Sequence, residues 1–313
     1  MNPHRFKAYL YLLAVVVIWG SAGPIIKFTL AGIDPLPFLA YRLLISAVIS
    51  LIFFLVKIRN GKKFRRFKAN FPIVLLYGLL AIPLALGILF IGLDKTTVLD
   101  LALIGVIGPM VVTAGGAIFY HDRITRKEKI GIAIVLVGVF LNSIYPIFKA
   151  GSSIRLTGNL LLLIYLFADA GSVLIAKKAV RKNVKSSNLT NMAFIIGAIV
   201  ILPLTLTLYG AGNLLNMIVT LPLKYHLGVW YMAVFSGTLA YYFYVRGQRT
   251  IEVSEATLFN YLQSVFTIPL AIFWLKEIPG ATFFIGAFII ALGVIIAEQK
   301  NKRKTQPSNQ ITN

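Results

Sequence analysis

The chain has 313 residues, of which 58% are hydrophobic and only 13% are charged, and its mean hydropathy is +0.83. Soluble domains carry about 25% charged residues, so this composition excludes a soluble enzyme domain and predicts an integral membrane protein. The net charge of +21 does not indicate a nucleic-acid partner, because the Lys and Arg residues cluster between apolar runs. The absence of cysteine excludes disulfides, thiolate nucleophiles and Cys-ligated metal centres.

Ten apolar stretches are long enough to cross a membrane, since a hydrocarbon core of about 30 Å needs roughly 20 apolar residues in a helix. In chain order we predict spanning helices at 8–30, 35–56, 71–92, 96–119, 130–147, 157–176, 189–209, 227–245, 253–274 and 279–298. The first stretch is too long for a cleaved signal peptide. Because the fifth stretch is short and Pro83 interrupts the third, counts of nine and eleven remain open. The polar residues 299–313 are predicted to form a disordered tail.

The distribution of Lys and Arg between alternate loops predicts the orientation of the chain. With the N-terminus in the cytoplasm, 24 of these residues fall in cytoplasmic segments and 5 in external ones, while Lys27 and Arg42 lie inside spans. The bias holds loop by loop, and one missed helix would reverse it for every later loop. We therefore predict a multi-pass protein of the cell membrane with both termini and the 299–313 tail in the cytoplasm.

The two halves of the chain share a pattern at a constant offset of 155 residues. The corresponding residues are Asp100 and Glu255, Asp122 and Glu277, Gly92 and Gly247, Gly131 and Gly286, and Gly138 and Gly293. The predicted fold is an all-α membrane protein whose ten transmembrane helices form two five-helix repeats, 8–147 and 157–298. An odd number of spans in each repeat inverts one repeat relative to the other, as in many secondary transporters.

Several short motifs match a known family. They are Trp19-Gly20-Ser21, Asp34-Pro35, Arg42, Pro109, Asp122 and the glycine pairs that begin at Gly131 and Gly286. On these motifs the chain resembles the EamA-type, ten-helix members of the drug/metabolite transporter superfamily, and the resemblance covers about 8–298. It implies a membrane carrier for small metabolites, in a group that includes amino-acid exporters.

Asp169 is the deepest acidic residue of the sequence. It lies twelve residues into the sixth predicted span, about 18 Å along a helix that rises 1.5 Å per residue, and therefore near the midplane. It shares one helical stripe with Tyr165, Ser172 and two alanines. An ionisable group at this depth usually faces a cavity or a partner. We predict that Asp169 contacts a substrate amine or couples transport to protons; a structural hydrogen bond between helices is the alternative.

Two further sets of side chains are candidates for substrate contact. They are Asn260, Gln263 and Ser264, in a polar stripe of the ninth span with Thr267, and the aromatic residues Trp19, Tyr77 and Tyr241. Amides and hydroxyls on one stripe suit a polar cavity, and aromatic rings suit an amphipathic metabolite. The alternatives are that the amides join helices and that tyrosines belong to the interfacial belt, to which we assign Tyr244.

Other polar residues lie near the ends of spans. Lys27, Arg42 and Asp100 fall near the predicted outer ends and could form an ion-pair gate, although snorkelling to the headgroups would also explain Lys27. We interpret three carboxylates as structural caps of helix N-termini: Asp122, Glu255 and Glu277. The glycine pairs of the fifth and tenth spans are predicted to pack these two helices together.

The function predicted from these features is secondary transport, with export favoured, of a small metabolite such as an amino acid, by alternating access about a midplane cavity. No P-loop is present, so ATP drive is unsupported. We predict no cofactor and no metal. The predicted partners are the lipid bilayer and a small-molecule substrate, with protons as an optional coupling ion, in a monomer or homodimer. A membrane-embedded lipid-processing enzyme, a channel and a lipid scramblase are the alternative functions.

Overall fold

The computed structural model describes residues 3–58, 70–121, 124–143, 153–247 and 253–298, and in these ranges the regular structure is entirely helical. The first half contains α1 (Pro3–Gly20), α2 (Ala22–Leu30), α3 (Pro35–Ile58), α4 (Phe71–Leu79), the π-helical segment Leu80–Leu86, α5 (Gly87–Lys95), α6 (Val98–Gly105), α7 (Gly108–Tyr120) and α8 (Arg126–Ser143). The second half contains α9 (Ser153–Arg181), α10 (Ser186–Tyr209), α11 (Ala211–Val219), α12 (Leu223–Trp230), the π-helical segment Tyr231–Leu239, α13 (Ala240–Gly247), α14 (Val253–Phe273) and α15 (Ala281–Glu298).

Helix covers each of the ten predicted ranges in whole or in part, but fewer segments meet a criterion of length and apolar composition. Within the described residues seven do so: Arg5–Leu30, Pro35–Phe53, Phe71–Lys95, Val98–Tyr120, Ser153–Arg181, Ser186–Tyr209 and Ala281–Glu298. The pair α11 and 223–244, bent by 106°, would make an eighth. Two helices fall short because α8 opens with four charged residues and because the described apolar part of α14, Phe259–Phe273, is short. The number ten therefore stays a prediction, as do the limits of the repeats.

One helix was not predicted. The short helix α11 lies in a stretch that the sequence suggested was a loop, and it precedes the sharp bend before α12. It buries Leu214, while Leu215 and Val219 are exposed. Its amphipathic composition suits a helix that lies in the membrane interface, and a run of nine residues is too short to be recognised as a span.

Three of the predicted spans contain an irregular turn: a change of helix at Ser21 and the two π-helical segments. The first span changes from α1 to α2 at Ser21, whose hydroxyl hydrogen-bonds the hydroxyl of Tyr231 at 2.7 Å. Pro83 lies inside the first π-helical segment, where its missing N–H and its ring disfavour regular α-helix. The second π-helical segment starts at Tyr231 itself. These irregular turns place backbone carbonyls within the helical assembly, a feature that often accompanies functional sites.

The two ends of the helical assembly can be named from their contacts. At the Asp100 side, α2 and α5 end and α6 and α9 begin; Lys27 Nζ donates to the carbonyls of Leu93 and Asp94 at 2.9 Å each. At the N-terminal side, α1 begins beside the end of α13 and the start of α14, and the Tyr9 and Phe259 rings stack at 5.9 Å. Helix α9 starts at the Asp100 side and ends at the N-terminal side.

Helices α8 and α15 pack through the four glycines that the sequence singled out. A Cβ added to Gly131 would lie 2.5 Å from the carbonyl oxygen of Gly293, and one added to Gly138 would lie 2.9 Å from that of Gly286. The predicted role of these glycines in packing is thereby confirmed. The two contacts also exchange under the 155-residue offset, since Gly131 corresponds to Gly286 and Gly138 to Gly293. The antiparallel contact is thus related to itself by an approximate two-fold axis.

Candidate substrate crevice

The location of Asp169 follows from the two faces of α9. One face carries large, exposed apolar side chains that suit contact with lipid: Leu160, Ile164 and Phe167 are 45%, 51% and 65% exposed. Asp169 follows Leu160 by nine residues, which places it about 180° around the helix at 3.6 residues per turn. Its side chain nevertheless is only partly buried. The space that it faces therefore lies inside the helical assembly and not in the lipid.

The accessible interior stripe of α9 continues from Asp169 toward the N-terminal side. Its other members, Val173, Ala176 and Val180, follow at helical spacing, and the two valines are 42% and 46% exposed. On the same face toward the Asp100 side, Leu162 is fully buried. We infer from these exposures that the interior is accessible from Asp169 toward the N-terminal side and is closed between Asp169 and the Asp100 side. We call this space the crevice.

Three tyrosines surround the carboxylate of Asp169. Tyr77 of α4, Tyr165 of α9 and Tyr241 of α13 each lie close enough to Asp169 to interact with it electrostatically. Tyr77 is 8% exposed and hydrogen-bonds the side chain of Thr190 in α10. Side chains of four helices therefore lie near one another at this point, and three of them carry phenol groups that interact with Asp169.

Trp19 of α1 extends the aromatic wall. Its ring meets that of Tyr241 edge-on at 5.3 Å and that of Tyr244 at 5.2 Å. Its indole N–H donates to the carbonyl of Ser236 at 3.1 Å, in the second π-helical segment. The Phe194 ring of α10 contacts Tyr241 from another side at 6.1 Å. Tyr244, which the sequence suggested belongs to the interfacial belt, lies in this cluster.

The polar stripe of α14 serves partly to pack helices. Ser264 donates to the carbonyl of Ala102 at 3.1 Å, and Thr267 donates to that of Gly20 at 2.6 Å. Gln263 and Asn260 hydrogen-bond each other at 3.4 Å and are partly buried. The offset of 155 residues pairs Asn260 with Gly105, beside which an added Cβ would meet no atom within 4 Å.

Ser172 belongs to the predicted stripe around Asp169, but its hydroxyl is turned back onto its own helix. It donates to the backbone carbonyl of Asp169 at 2.8 Å, and the residue is 3% exposed. This local bond satisfies the donor without a partner in the crevice.

The three residues considered for an ion-pair gate, Lys27, Arg42 and Asp100, lie in separate environments and do not pair with one another in the described structure. Asp100 is buried and pairs with Arg155, with Nε to Oδ2 at 2.7 Å and Nη2 to Oδ1 at 3.0 Å. Thr96 and Asn142 also donate to this carboxylate. Lys27 bonds to backbone carbonyls at the end of α5. Arg155 was counted only as a loop cation in the sequence, because α9 begins four residues before the predicted span.

Arg42 of α3 has an aromatic environment. Its side chain is 3% exposed, and its guanidinium lies 5.7 Å from the centre of the Phe90 ring. It also interacts electrostatically with Tyr241. Among the described residues, Arg42 Nε and Nη1 have no hydrogen-bond partner.

A carboxylate outside the spans closes the Asp100 side further. Glu277 accepts hydrogen bonds from the backbone N–H groups of Val98 and Leu99 at 2.8 and 2.9 Å, which cap α6. The predicted capping role is confirmed for Glu277, although it caps a helix of the other half of the chain. Asp122 lies outside the described residues, and of Glu255 only the backbone is described. Burial raises the pKa of Glu277, while the two N–H donors and then Lys27 act in the opposite direction.

An open cavity of about 570 Å³ lies at the Asp100 side. Lys27, Arg155 and Glu277 line it together with the turn that follows α5. It is separated from the crevice by the buried residues around Asp100, which include Leu99 and Leu162.

The long apolar helices define a multi-pass membrane protein, and the partly accessible carboxylate of Asp169 lies inside its helical assembly. The EamA-like transporter family matches residues 6–144 and again residues 156–298. The chain therefore belongs to the EamA-like transporter family, and the double match agrees with the duplication inferred from the 155-residue offset.

Individual relatives are transporters by name. The chain is 26% identical over 306 residues to the uncharacterized transporter YyaM of Bacillus subtilis, with 94% of each chain covered. It is 27% identical over 240 residues to a probable amino-acid metabolite efflux pump of Salmonella typhimurium, with 76% of each covered. A solved crystal structure has the same fold, with a TM-score of 0.61 and 14% identity over 93% of this chain and 96% of the other.

Proposed function

We propose that the protein is a secondary transporter that exports a small metabolite, such as an amino acid or a related compound. The observation that carries this proposal is the position of Asp169. A carboxylate that is partly accessible, faces away from lipid and lies deep within a spanning helix would be costly unless it contacted water or a solute. Tyr165, Tyr241 and Trp19 supply apolar faces beside it, which suits an amphipathic solute.

The proposed mechanism is alternating access about this crevice. The crevice is open toward the N-terminal side, while the Asp100 side is held closed by the Asp100–Arg155 pair and by the Glu277 cap. Two inverted five-helix repeats would exchange these roles in a second conformation. The self-related contact of α8 with α15 and the double family match support such repeats.

The orientation proposed from the Lys and Arg distribution indicates which side of the membrane the open end of the crevice faces. If both termini lie in the cytoplasm of the cell, the crevice opens to the cytoplasm, from which an exporter collects its solute. The Asp100 side, with its cavity of about 570 Å³, would then face the exterior.

The proposed role of Asp169 is to bind an amine of the solute, a proton, or each in turn. Tyr77, Tyr165 and Tyr241 lie around it as hydroxyl partners for whichever cation is bound. Competition between an amine and a proton for one carboxylate is a simple way to couple solute export to proton entry.

The test uses purified protein in proteoliposomes loaded with unlabelled amino acids. The proposal predicts saturable countertransport of at least one labelled amino acid, which Asp169→Asn abolishes or makes insensitive to pH. Asp94→Asn is the matched control, because Asp94 is an exposed acid outside the crevice. Wild-type rates and unchanged pH dependence in Asp169→Asn would overturn the role of this carboxylate.

The same assay separates the alternatives. A channel would give flux that does not saturate and shows no exchange with internal solute. A scramblase would move fluorescent lipid in the absence of any solute, and a lipid-processing enzyme would change the lipid chemically. Any of these results without countertransport would replace the proposal.

A further inference from the structure

Arg42 is a buried cation with unused hydrogen-bonding capacity. Within the described ranges its Nε and Nη1 atoms have no hydrogen-bond partner, and the residue is 3% exposed. Asp100, which is also charged and buried among the described residues, has a cation and two neutral donors around it. Buried polar groups are normally satisfied, so the vacant donors of Arg42 require an explanation.

Two kinds of aromatic neighbour lie near Arg42 in the described structure. On the Asp100 side it is covered by Phe90, and Phe90 packs edge-on against Phe38 at 4.8 Å; both phenylalanines are fully buried. Arg42 also interacts electrostatically with Tyr241, which is only partly buried and belongs to the aromatic cluster beside Asp169. Because Tyr241 interacts with Arg42 and also with Asp169, the crevice is the space from which we expect a group to reach Arg42.

The chemistry of the site favours an oxyanion as this partner. A guanidinium presents its N–H groups as a planar fork that matches a carboxylate or phosphate, and a charge-assisted pair is strong where water is excluded. The contact with Phe90 offsets part of the desolvation of the cation but leaves the donors vacant. A purely structural arginine would be expected to have a carbonyl or carboxylate at Nε and Nη1.

We propose that Arg42 binds an anionic oxygen group, a carboxylate or a phosphate, of the transported solute. The inference rests on the proposed transport function, because it assigns a subsite within the same crevice. Tyr241 interacts electrostatically with both Arg42 and Asp169, so one side chain lies near the proposed binding groups for an anion and for a cation. The preferred solute accordingly carries an anionic group, and a dipolar solute with an amine as well uses both subsites.

The test measures the thermal stability of the purified protein with four defined probes: phenylalanine, 3-phenylpropanoate, phenyl phosphate and phenethylamine. A ligand that binds only the folded state raises the Tm in proportion to the logarithm of its concentration over Kd. The variants are Arg42→Gln, Arg42→Lys and the control Arg126→Gln, whose arginine is exposed at the start of α8.

We expect Arg42→Gln to weaken binding of phenylalanine and of the better anionic probe at least tenfold and to leave phenethylamine unchanged. Arg126→Gln should behave as wild type. Equal affinities of Arg42→Gln and wild type for the anionic probes would overturn the proposal, as would an equal loss for phenethylamine. If Arg42→Gln does not fold, Arg42→Lys decides by the same comparison, because it keeps the charge and loses the fork.

The outcome for wild type separates this inference from the proposed function. If neither anionic probe nor phenylalanine stabilises wild type, the anion subsite is overturned. Saturable countertransport of a solute without an anionic group would in that case leave the transporter proposal standing. If wild type transports no solute but binds 3-phenylpropanoate through Arg42, the transport function fails and the subsite remains.

Discussion

Arg155 clamps the buried carboxylate of Asp100 with two hydrogen bonds, at 2.7 and 3.0 Å, and so ties the start of α9 to the start of α6. The pair joins the two halves of the chain at the end where the crevice is closed. Asp100 is 1% exposed and Arg155 is 40% exposed, so the anion is far more dependent on the pair than the cation.

Loss of the cation should therefore destabilise the closed end. Arg155→Gln leaves a buried carboxylate without its charge partner. We expect the free energy of unfolding to fall by about 1–3 kcal/mol. The loss should be smaller than for a fully buried ion pair, because Arg155 is partly hydrated. Asp100→Asn, which removes the buried charge, should cost less, and in an Asp100→Asn background Arg155→Gln should have little further effect. Unfolding in detergent, followed by circular dichroism, measures all three variants. Additive losses would show that the two residues act independently.

The crevice predicts which positions of α9 meet water. The chain has no cysteine, so single-cysteine variants can be labelled with a membrane-impermeant maleimide without background. Val173→Cys and Ile164→Cys are matched, since the native residues are 42% and 51% exposed in the helical assembly. We expect rapid labelling at 173, which faces the crevice, and slow labelling at 164, which faces lipid. Equal rates at the two positions would contradict the crevice, and reagent access from one side only would report the orientation.

The glycine contact between α8 and α15 predicts a sharp difference between two Gly→Ala substitutions. In Gly138→Ala the new methyl would lie 2.9 Å from the carbonyl oxygen of Gly286 and 3.1 Å from Ile290 N. Both atoms belong to the backbone of α15, which cannot move aside as easily as a side chain, so we expect the free energy of unfolding to fall by about 1–3 kcal/mol. Gly105→Ala, where no atom lies within 4 Å, is the control and should be neutral or slightly stabilising. Thermal unfolding compares the two, and equal Tm values would contradict the close approach.

The cap made by Glu277 predicts a pH dependence of stability. Burial raises the pKa of this carboxyl above its ordinary value of 4.5, so the folded state binds the proton more tightly than the unfolded chain does. The tighter binding of this proton stabilises the folded state. This stabilisation is complete below pH 4.5, and it is lost as the pH rises through the pKa of Glu277 in the folded state. We therefore expect the Tm of wild type minus the Tm of Glu277→Gln to decrease as the pH rises from 4.5 through the pKa of Glu277 in the folded state.

The measurement is a thermal melt of both proteins in the same detergent at pH steps from about 4 to about 8, the range over which a raised glutamate pKa would titrate. A difference that grows with pH would contradict the direction of the shift. It would show instead that the N–H groups of Val98 and Leu99 dominate over burial at Glu277.

Much of the fold was accessible from local patterns. Apolar runs located helices at every predicted position, and the glycines at an offset of 155 identified the α8–α15 contact. Helix ends were less accurate: α9 begins at Ser153 and not at 157, which hid Arg155 as a partner of Asp100. Helix α11 was missed because nine residues are too few for the helical period of hydrophobic residues to be recognised in the sequence.

The candidate site was accessible only in part. The depth of Asp169 could be calculated from helical rise, and the stripe containing Tyr165 follows from helical periodicity. Which helices supply its partners depends on packing across the chain, and the meeting of Tyr77, Tyr165 and Tyr241 around Asp169 is of this kind.

The sequence by itself determined that this is a membrane protein. The transfer of apolar side chains from water into the bilayer, and the need of the backbone there to form its own hydrogen bonds, depend on each segment alone. The sequence also determined the internal duplication, since a repeat is written in the order of residues. Only the tertiary structure decided that Asp100 belongs to Arg155, that Glu277 caps a distant helix, and that Arg42 lies beside Tyr241. Those pairings join residues far apart in the chain, and the distance between two such residues is set by how whole helices pack.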